Sequence, residues 1–314
     1  QPNHFDALQL LGVLFAQIKK YSQAVEFLSK AIEINPNHAG AYNNRGIALK
    51  ELKYFDDALA SYDQAIAINP SHAGAQSNRG IVLKELKRFD EALASYDQAI
   101  ILKTDYVDAY SNRGNLLREL KRFDEALASY DQAIAINPGH AFSYSNRGSV
   151  LQDLSRFDEA LASYDQAIVL NPNHAGTFSN RGIVLQGLRR FDEALASYEQ
   201  ALKINPNLTA AHYNLSLFNL MSGNFKAGWQ GYEWRWLDGD FDSELLKSNK
   251  PAWDYQKTDQ RLLVWSEQGV GDQISFGSLL TELLESVPNV IVQVDKRLIP
   301  IFTRSLPKIK FYSD

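Results

Sequence analysis

The sequence lacks cysteine and contains a single methionine in 314 residues. Without cysteine the chain can form no disulfide, no thiolate zinc site and no thiol nucleophile. No apolar run reaches the roughly 18 residues of a membrane span, and the opening residues carry no charged-then-apolar leader. The net charge of -5 disfavours a nucleic-acid-binding surface, which needs basic residues to displace phosphate counterions. We therefore expect a cytoplasmic protein with no membrane span and no nucleic acid partner.

Repetition dominates the rest of the sequence. The stretch ELKRFDEALASYDQAI, at residues 85–100, returns letter for letter at residues 119–134. The same shift aligns the phrase Asn-Arg-Gly in five places, and the phrase DEAL or DDAL follows each one. A period of 34 residues is typical of stacked helix pairs. The Asn-Arg-Gly phrase begins at Asn44, Asn78, Asn112, Asn146 and Asn180.

In period and in its small and aromatic positions, the chain resembles the tetratricopeptide repeat (TPR) family. Counted in that family's frame, Gly46 falls at position 8, Ala58 at position 20, Tyr62 at position 24 and Pro70 at position 32. The resemblance implies a mainly α fold, a right-handed superhelix (α-solenoid) of antiparallel helix pairs, A and B. We expect the remnant of a preceding repeat at residues 1–4, then repeats at 5–38, 39–72, 73–106, 107–140, 141–174 and 175–208. A divergent seventh repeat at 209–242 and a linker at 243–260 follow.

Two charge patterns recur in the repeats. Basic residues such as Arg88 close helix A and acids such as Asp90 open helix B, which suits the two macrodipoles. Every repeat with Arg at position 7 carries an acid at position 25, although the seventh repeat keeps Glu233 beside Leu215, so we predict a partly buried ion pair. A row of arginines that grip a ligand is the alternative. The arginines are Arg45, Arg79, Arg113, Arg147 and Arg181, and the acids are Asp63, Asp97, Asp131, Asp165 and Glu199.

Position 6 is the candidate binding position, because it is Asn in six successive helices although Asn has mediocre helix propensity. Positions 2, 6, 9 and 13 form one stripe of helix A that packing does not use. An amide matches the donors and acceptors of an extended polypeptide, and the row resembles the asparagine ladder of O-GlcNAc transferases. The alternative is duplication, with each Asn bonding a neighbouring helix. The residues are Asn44, Asn78, Asn112, Asn146, Asn180 and Asn214.

Residues near the asparagine row change from repeat to repeat at positions 12 and 13, whereas histidines recur at the repeat boundaries. Position 12 changes from Lys50, Lys84 and Arg118 to Gln152 and Gln186, and position 13 changes from acid to Gly187. Such neighbours would supply any specificity. The histidines at the repeat boundaries are spaced by whole repeats and cannot converge on one metal, so we predict turn residues. These are His38, His72, His140 and His174. Where Lys103 and Thr104 replace Asn-Pro, we expect a smoother passage to the next repeat.

The regular repeat pattern ends after residue 208. Trp229, Trp234 and Trp236 are expected to pack in a core at the end of the array, with an aromatic sugar platform as the alternative. From residue 261 the pattern predicts strands at 262–265, 290–294 and 309–312, with a glycine loop at 268–272 and helices at 273–287 and near 296–305. This is a partial α/β Rossmann-like domain. Gly269 and Gly271 would offer backbone donors to a phosphate or other anion.

The stretch WSEQGVGDQISFGSLL resembles bacterial TPR proteins whose C-terminal domain is similar to glycosyltransferases of the heptosyltransferase and O-GlcNAc transferase type. That resemblance maps a catalytic base onto Asp272, whose alternative role is to cap the helix from Gln273. It implies a protein or peptide partner in the TPR groove. It also implies a nucleotide sugar in the full-length parent but no cofactor in this chain, which we expect to be inactive alone. The alternative is a pure interaction scaffold with a non-catalytic α/β cap.

Overall fold

The computed structural model describes residues 4–237, 250, 260–265 and 270–313, with backbone alone at 270–272. The chain divides into two compact units, Gln1–Gly228 and Trp229–Asp314. The division falls inside the segment predicted as the seventh repeat. Most of the predicted linker, 243–260, lies outside the described residues.

The first unit consists of helix pairs in tandem, as predicted. Odd-numbered helices are helix A and even-numbered helices are helix B, and each pair packs against the next. The helices are α1 (Phe5–Gln17), α2 (Tyr21–Ile34), α3 (Ala39–Glu51), α4 (Phe55–Ile68), α5 (Ala73–Glu85), α6 (Phe89–Leu102), α7 (Val107–Glu119), α8 (Phe123–Ile136), α9 (Ala141–Asp153), α10 (Phe157–Leu170), α11 (Ala175–Gly187), α12 (Phe191–Ile204), α13 (Thr209–Met221) and α14 (Phe225–Tyr232), the last of which crosses the division.

A left-handed residue ends each helix A. Lys87 has φ 58°, and the N–H of Arg88 donates to the carbonyl of Leu83 at 2.8 Å. This is the hydrogen bond of a Schellman motif, in which glycine is usual. Arg88 then forms a bidentate pair with Glu91, with both contacts at 2.7 Å, which lowers the pKa of the exposed Glu91 carboxyl. Only the divergent repeat has glycine at this turn, Gly223, with φ 81°.

The tyrosine at position 24 fills the space that the glycine at position 8 leaves. Tyr62 is fully buried, and a Cβ on Gly46 would lie 2.6 Å from its ring. The same contact recurs between Gly114 and Tyr130. Burial raises the pKa of these phenols, to about 12 for Tyr164. In the five repeats that pair glycine with tyrosine, close approach of helices A and B therefore depends on the absence of a Cβ at position 8.

The boundary histidines are helix N-caps. Nδ1 of His38 accepts from the N–H of Ala41 at 3.0 Å, and His72 does the same for α5. The prediction of turn residues is therefore confirmed. At Lys103 the expected smoother passage is wrong, because α6 and α7 end and begin where the other repeats do. There Lys103 lies over the ring of Tyr106 at 5.0 Å, and a backbone hydrogen bond closes the same turn.

The position 7 arginines clamp three helices together. Nε of Arg113 in α7 donates to Asp97 in α6 at 2.6 Å, and its Nη1 donates to Ser129 in α8 at 2.7 Å. The hydroxyl of Ser129 in turn donates to the carbonyl of Glu125 at 2.9 Å. The same arrangement joins Arg79 to Asp63 and Ser95, Arg147 to Asp131 and Ser163, and Arg181 to Asp165 and Ser197.

The predicted ion pair is thus confirmed, but it runs between repeats. Each arginine takes its acid from the preceding repeat, so the pairs are staggered by one repeat. Arg45 meets no acid among the described residues, because the preceding repeat has Ser29 at position 25, and it donates instead to Ser61 at 3.1 Å. At the other end of the row, Glu199 would face Leu215. Co-occurrence within a repeat could not reveal this stagger, because both partners recur together.

The second unit contains a parallel sheet of three strands in the order β1 (Leu262–Val264), β2 (Val290–Gln293) and β3 (Lys310–Tyr312). Leu262 pairs with Val290, and Val292 pairs with Phe311. The helices are α15 (Val270–Gly277), α16 (Leu280–Ser286) and α17 (Ile299–Ser305). The predicted helix 273–287 is therefore two helices. They meet where Phe302 packs so closely on Gly277 that a Cβ there would lie 2.7 Å from its ring.

The predicted tryptophan core is wrong for Trp229, whose side chain is 52% exposed. The buried residue of this segment is Arg235 in a short 3-10 helix, Glu233–Leu237. Its guanidinium lies over the rings of Tyr232 and Trp236, at 4.4 and 4.3 Å, and bonds Glu233 at 3.0 Å. Aromatic faces and a carboxylate together allow this charge to be buried.

Candidate binding face of the repeat array

Successive A helices contact one another directly, from α1 through α3, α5, α7, α9 and α11 to α13. Side chains at positions 2, 5, 6, 9, 12 and 13 of these helices therefore form one surface, which we call the A-helix face. Position 2 lies in the first turn of helix A and position 13 at its last residue. These two positions form the two rims of the face, about 16 Å apart at 1.5 Å per residue.

All six predicted asparagines lie on this face and are half-buried. Nδ2 of Asn78 donates to Asn43 of the preceding repeat at 3.0 Å, and Nδ2 of Asn214 donates to Ser179 at 3.2 Å. Asn44 accepts from Asn43 at 3.4 Å. Several of these amides therefore do bond the neighbouring helix, which the duplication alternative anticipated.

A polar network lies in the middle of the array. The hydroxyl of Tyr130 donates to Oδ1 of Asn115 at 2.7 Å, and Nδ2 of Asn146 donates to the same oxygen at 2.9 Å. In the next repeat the single O–H of Tyr164 is shared between Oγ of Ser149 and Oε1 of Gln152, both at 3.1 Å, and a further hydrogen bond links Tyr164 to Asn180.

Positions 9 and 12 together decide whether the buried phenol finds a partner. Asn115 and Ser149 at position 9 bond it, and beside Ile183 it is Gln186 at position 12 that accepts from Tyr198 at 3.1 Å. In the second repeat these positions are Ile47 and Lys50, and the hydroxyl of Tyr62 is buried with no partner among the described residues. Sequence reasoning missed this role of position 9. A polar residue that replaces Ile fifteen positions before a core tyrosine is the signal that could have revealed it.

Side chains at positions 12 and 13 pair between neighbouring repeats, and we call each such contact a rung. Nζ of Lys84 lies 3.2 Å from Glu119, and Nε of Arg118 donates to Asp153 at 2.7 Å. Each rung joins position 12 of one repeat to position 13 of the next. Within the described residues, the first basic residue departs from this pattern, because Lys50 pairs with its neighbour Glu51 at 2.9 Å.

The rungs lose their charge toward the C-terminal end. Gln152 would face Gly187, which has no side chain, and Nε2 of Gln186 lies 3.6 Å from Sδ of Met221. Exposed apolar side chains appear in the same region, because Phe142 is 53% exposed and Met221 54% exposed. The rungs are therefore charged in the first half of the A-helix face and uncharged in the second, while exposed apolar side chains lie in both halves, since Leu10 at position 6 of α1 is 69% exposed.

The α/β residues predicted for catalysis are placed only in part. Helix α15 begins at Val270, so Gly271 and Asp272 belong to its first turn. The prediction that Asp272 is the N-cap of a helix from Gln273 is therefore wrong. Gly269 and the side chain of Asp272 lie outside the described residues, and Asp272 as catalytic base stays a prediction. The side chain of Gln273 accepts from the N–H of Asp295 at 2.8 Å.

Metal chemistry has no support in the described part of the chain, where no three His, Cys, Asp or Glu residues are grouped as metal ligands. Nor does any helix among those residues have the length and apolar character needed to cross a membrane.

Tandem helix pairs with a continuous face along one set of helices define an α-solenoid scaffold, a class typical of protein–protein interaction. Family models described as tetratricopeptide repeat match residues 5–38 and 107–140, 43–106, and 139–207, together more than half of the chain. The chain belongs to the TPR family.

Known proteins similar to this chain share mainly the repeat architecture. Protein FlbA of Caulobacter vibrioides is 30% identical over 95 residues, which are 29% of this chain and 16% of the length of that protein. The structure of pilF from Pseudomonas aeruginosa has a TM-score of 0.60 at 20% identity, covering 70% of this chain and 97% of that one. A TPR protein from Parabacteroides merdae has a TM-score of 0.60 at 17% identity, covering 73% and 91%. At these identities the two structures show the fold alone.

Proposed function

We propose that the A-helix face binds an extended polypeptide through the amides of its six position 6 asparagines. The observation that carries the proposal is their unused hydrogen-bonding capacity. An Asn side chain can donate two hydrogen bonds and accept two, whereas among the described residues none of the six makes more than one. Asn112 makes none that involves a described residue. A half-buried row of such groups suits a ligand with a regularly spaced backbone N–H and C=O.

The expected affinity is modest. Each amide bond nets about 0.5 to 1.5 kcal/mol, and association costs several kcal/mol before any bond is counted. Binding through three or four asparagines would therefore be weak and largely independent of ligand sequence. Any sequence preference must come from other positions of the face.

We further propose that the repeats are the recognition arm of a glycosyltransferase whose domain opens with the α/β unit. The support is topological. Three parallel strands alternate with helices, and such folds bind their ligands at the carboxyl edge of the sheet. A nucleotide sugar would then bind in the full-length parent. The second candidate is an interaction scaffold with a non-catalytic α/β cap. Glycosyl transfer would require a second half of the α/β domain that binds the nucleotide sugar, and the three-stranded unit alone does not supply it.

The test compares amides on the two faces of the array. We expect the triple substitution Asn112→Ala, Asn146→Ala and Asn180→Ala to weaken binding of a labelled, unstructured peptide at least tenfold in fluorescence anisotropy. The peptide has about 15 residues, enough for five repeats at roughly three residues each. The matched control replaces Gln98, Gln132 and Gln166, exposed amides of helix B, with Ala and should leave affinity unchanged. Unchanged affinity in the asparagine variant, with circular dichroism also unchanged, contradicts the proposal.

A further inference from the structure

The charges of the A-helix face are unevenly matched. Rungs neutralise Glu119 and Asp153, but Glu85 is exposed and forms no ion pair with a described residue. Asp108 is 71% exposed, and its nearest basic group is Nε2 of His140 at 3.8 Å. Glu85 lies on the position 13 rim and Asp108 on the position 2 rim of the next repeat. The middle of the face therefore presents an exposed carboxylate at each rim, Glu85 at one and Asp108, beside His140, at the other.

One repeat further on, the position 2 rim becomes apolar. Phe142 stands at a position that is glycine at Gly40, Gly74 and Gly176. Its ring lies 5.4 Å from His174, edge to face, and 6.2 Å from His140, and about half of the side chain faces solvent. On the opposite rim Met221 is similarly exposed. Exposed apolar side chains beside the asparagine row are suited to receive apolar side chains of a ligand.

We infer that the A-helix face is directional and selects an extended segment with two adjacent basic residues followed by apolar ones. The inference rests on the proposed polypeptide binding. Successive side chains of an extended chain point to opposite sides, so adjacent basic residues can reach Glu85 on one rim and Asp108 on the other. An apolar residue about three positions further meets Phe142, and a second about six beyond it meets Met221, at roughly three residues per repeat.

The energetic contributions differ in kind. The basic pair meets exposed carboxylates, so its contribution is electrostatic and falls as salt screens it. The apolar contacts depend on removing Phe142 and Met221 from water, which salt does not weaken. The two halves of the inference can therefore be separated by ionic strength.

The experiment titrates the whole chain with labelled peptides of about 15 residues. The first peptide carries a Lys-Arg pair, a leucine about three positions after it and a second leucine about six positions beyond that, in a Ser/Thr/Gly background. It is made with this order of residues and with the reverse order. The second replaces the pair with Glu, the third replaces the leucines with Ser, and the fourth scrambles the first. We expect the first, in one direction, to bind most tightly. The Glu peptide should bind about tenfold more weakly at low salt, with the gap closing at high salt. The Ser peptide should bind about fivefold more weakly at both.

Matched variants assign the effects to residues. Glu85→Gln with Asp108→Asn should abolish the preference for the basic pair and keep the preference for leucine, whereas Phe142→Gly should weaken the leucine preference alone. Asp90→Asn and Val169→Ser on helix B, both at exposed positions, should change neither. Equal binding of all peptides, still lost in the triple asparagine variant, overturns this inference and leaves the proposed function standing. A preference for the Glu peptide also overturns it. Binding of no peptide rejects the proposed function, and the inference with it.

Discussion

Replacing Ser29 with Asp should supply the acid that Arg45 lacks. In four later boundaries the position 7 arginine holds an Asp of the preceding helix B and a Ser of its own repeat. Arg45 already bonds Ser61 at 3.1 Å and lies 5.2 Å over the ring of Tyr42. Its position between the helices is therefore set, and a carboxylate at position 29 would complete the clamp.

The magnitude follows from the four existing clamps. Their arginine side chains are 21% to 28% exposed and their aspartates 49% to 55% exposed, so screening by water is substantial. A charge-assisted pair in this setting is expected to contribute about 0.5 to 1 kcal/mol. Glu26 and Glu33, three residues before and four after Ser29, repel the new charge by a few tenths of a kcal/mol. The net gain should be near 0.5 kcal/mol.

A double-mutant cycle isolates the pair from this repulsion. Ser29→Asp is made in the wild-type chain and in Arg45→Leu, since Leu is the residue of the first repeat at position 7. Repeat arrays can unfold in stages, so hydrogen exchange of amides in α2 and α3 accompanies urea unfolding. We expect a coupling free energy of about 0.5 to 1 kcal/mol that decreases at high salt. The same shift in both backgrounds would refute the clamp and attribute the change to helix α2 alone.

Two further predictions concern a turn and the α/β unit. Lys87→Gly should stabilise the array by about 0.5 to 1 kcal/mol in urea unfolding, because the left-handed conformation there strains any side chain. The contrasting change Ala94→Gly, at an exposed position inside α6, should destabilise it by about 1 kcal/mol, and loss of stability in both variants would contradict the reasoning. If the proposed glycosyltransferase activity is present and the Asp272 carboxylate is its base, Asp272→Asn should lower turnover by about 100-fold or more with an unchanged melting temperature. Full activity would reduce Asp272 to a helix residue.

The fold of the repeats could be predicted because the same local sequence patterns recur in several copies. In the five near-identical repeats from 39 to 208 a glycine at position 8 and a tyrosine at position 24 recur together, and a short basic break separates two helical patterns. The pairing of Arg113 with Asp97 of the preceding repeat could not be predicted. A pattern that recurs in successive repeats does not show which copy supplies the partner. Burial of Arg235 in place of Trp229 was missed for another reason. Hydropathy cannot anticipate a guanidinium enclosed by two aromatic rings.

The two interpretations of the asparagine row are compatible, and Asn112 can separate them. An amide that donates Nδ2 to the preceding repeat keeps its second N–H and its carbonyl oxygen, while the inter-repeat bond holds the side chain in one rotamer. A ligand then meets a preorganised group and loses less entropy on binding. Asn146 makes such a bond, so Asn146→Ala should lower both peptide affinity and the free energy of unfolding. Asn112 makes none with a described residue, so Asn112→Ala should lower affinity alone. If both variants lose stability and neither loses affinity, the asparagines serve only to join the repeats.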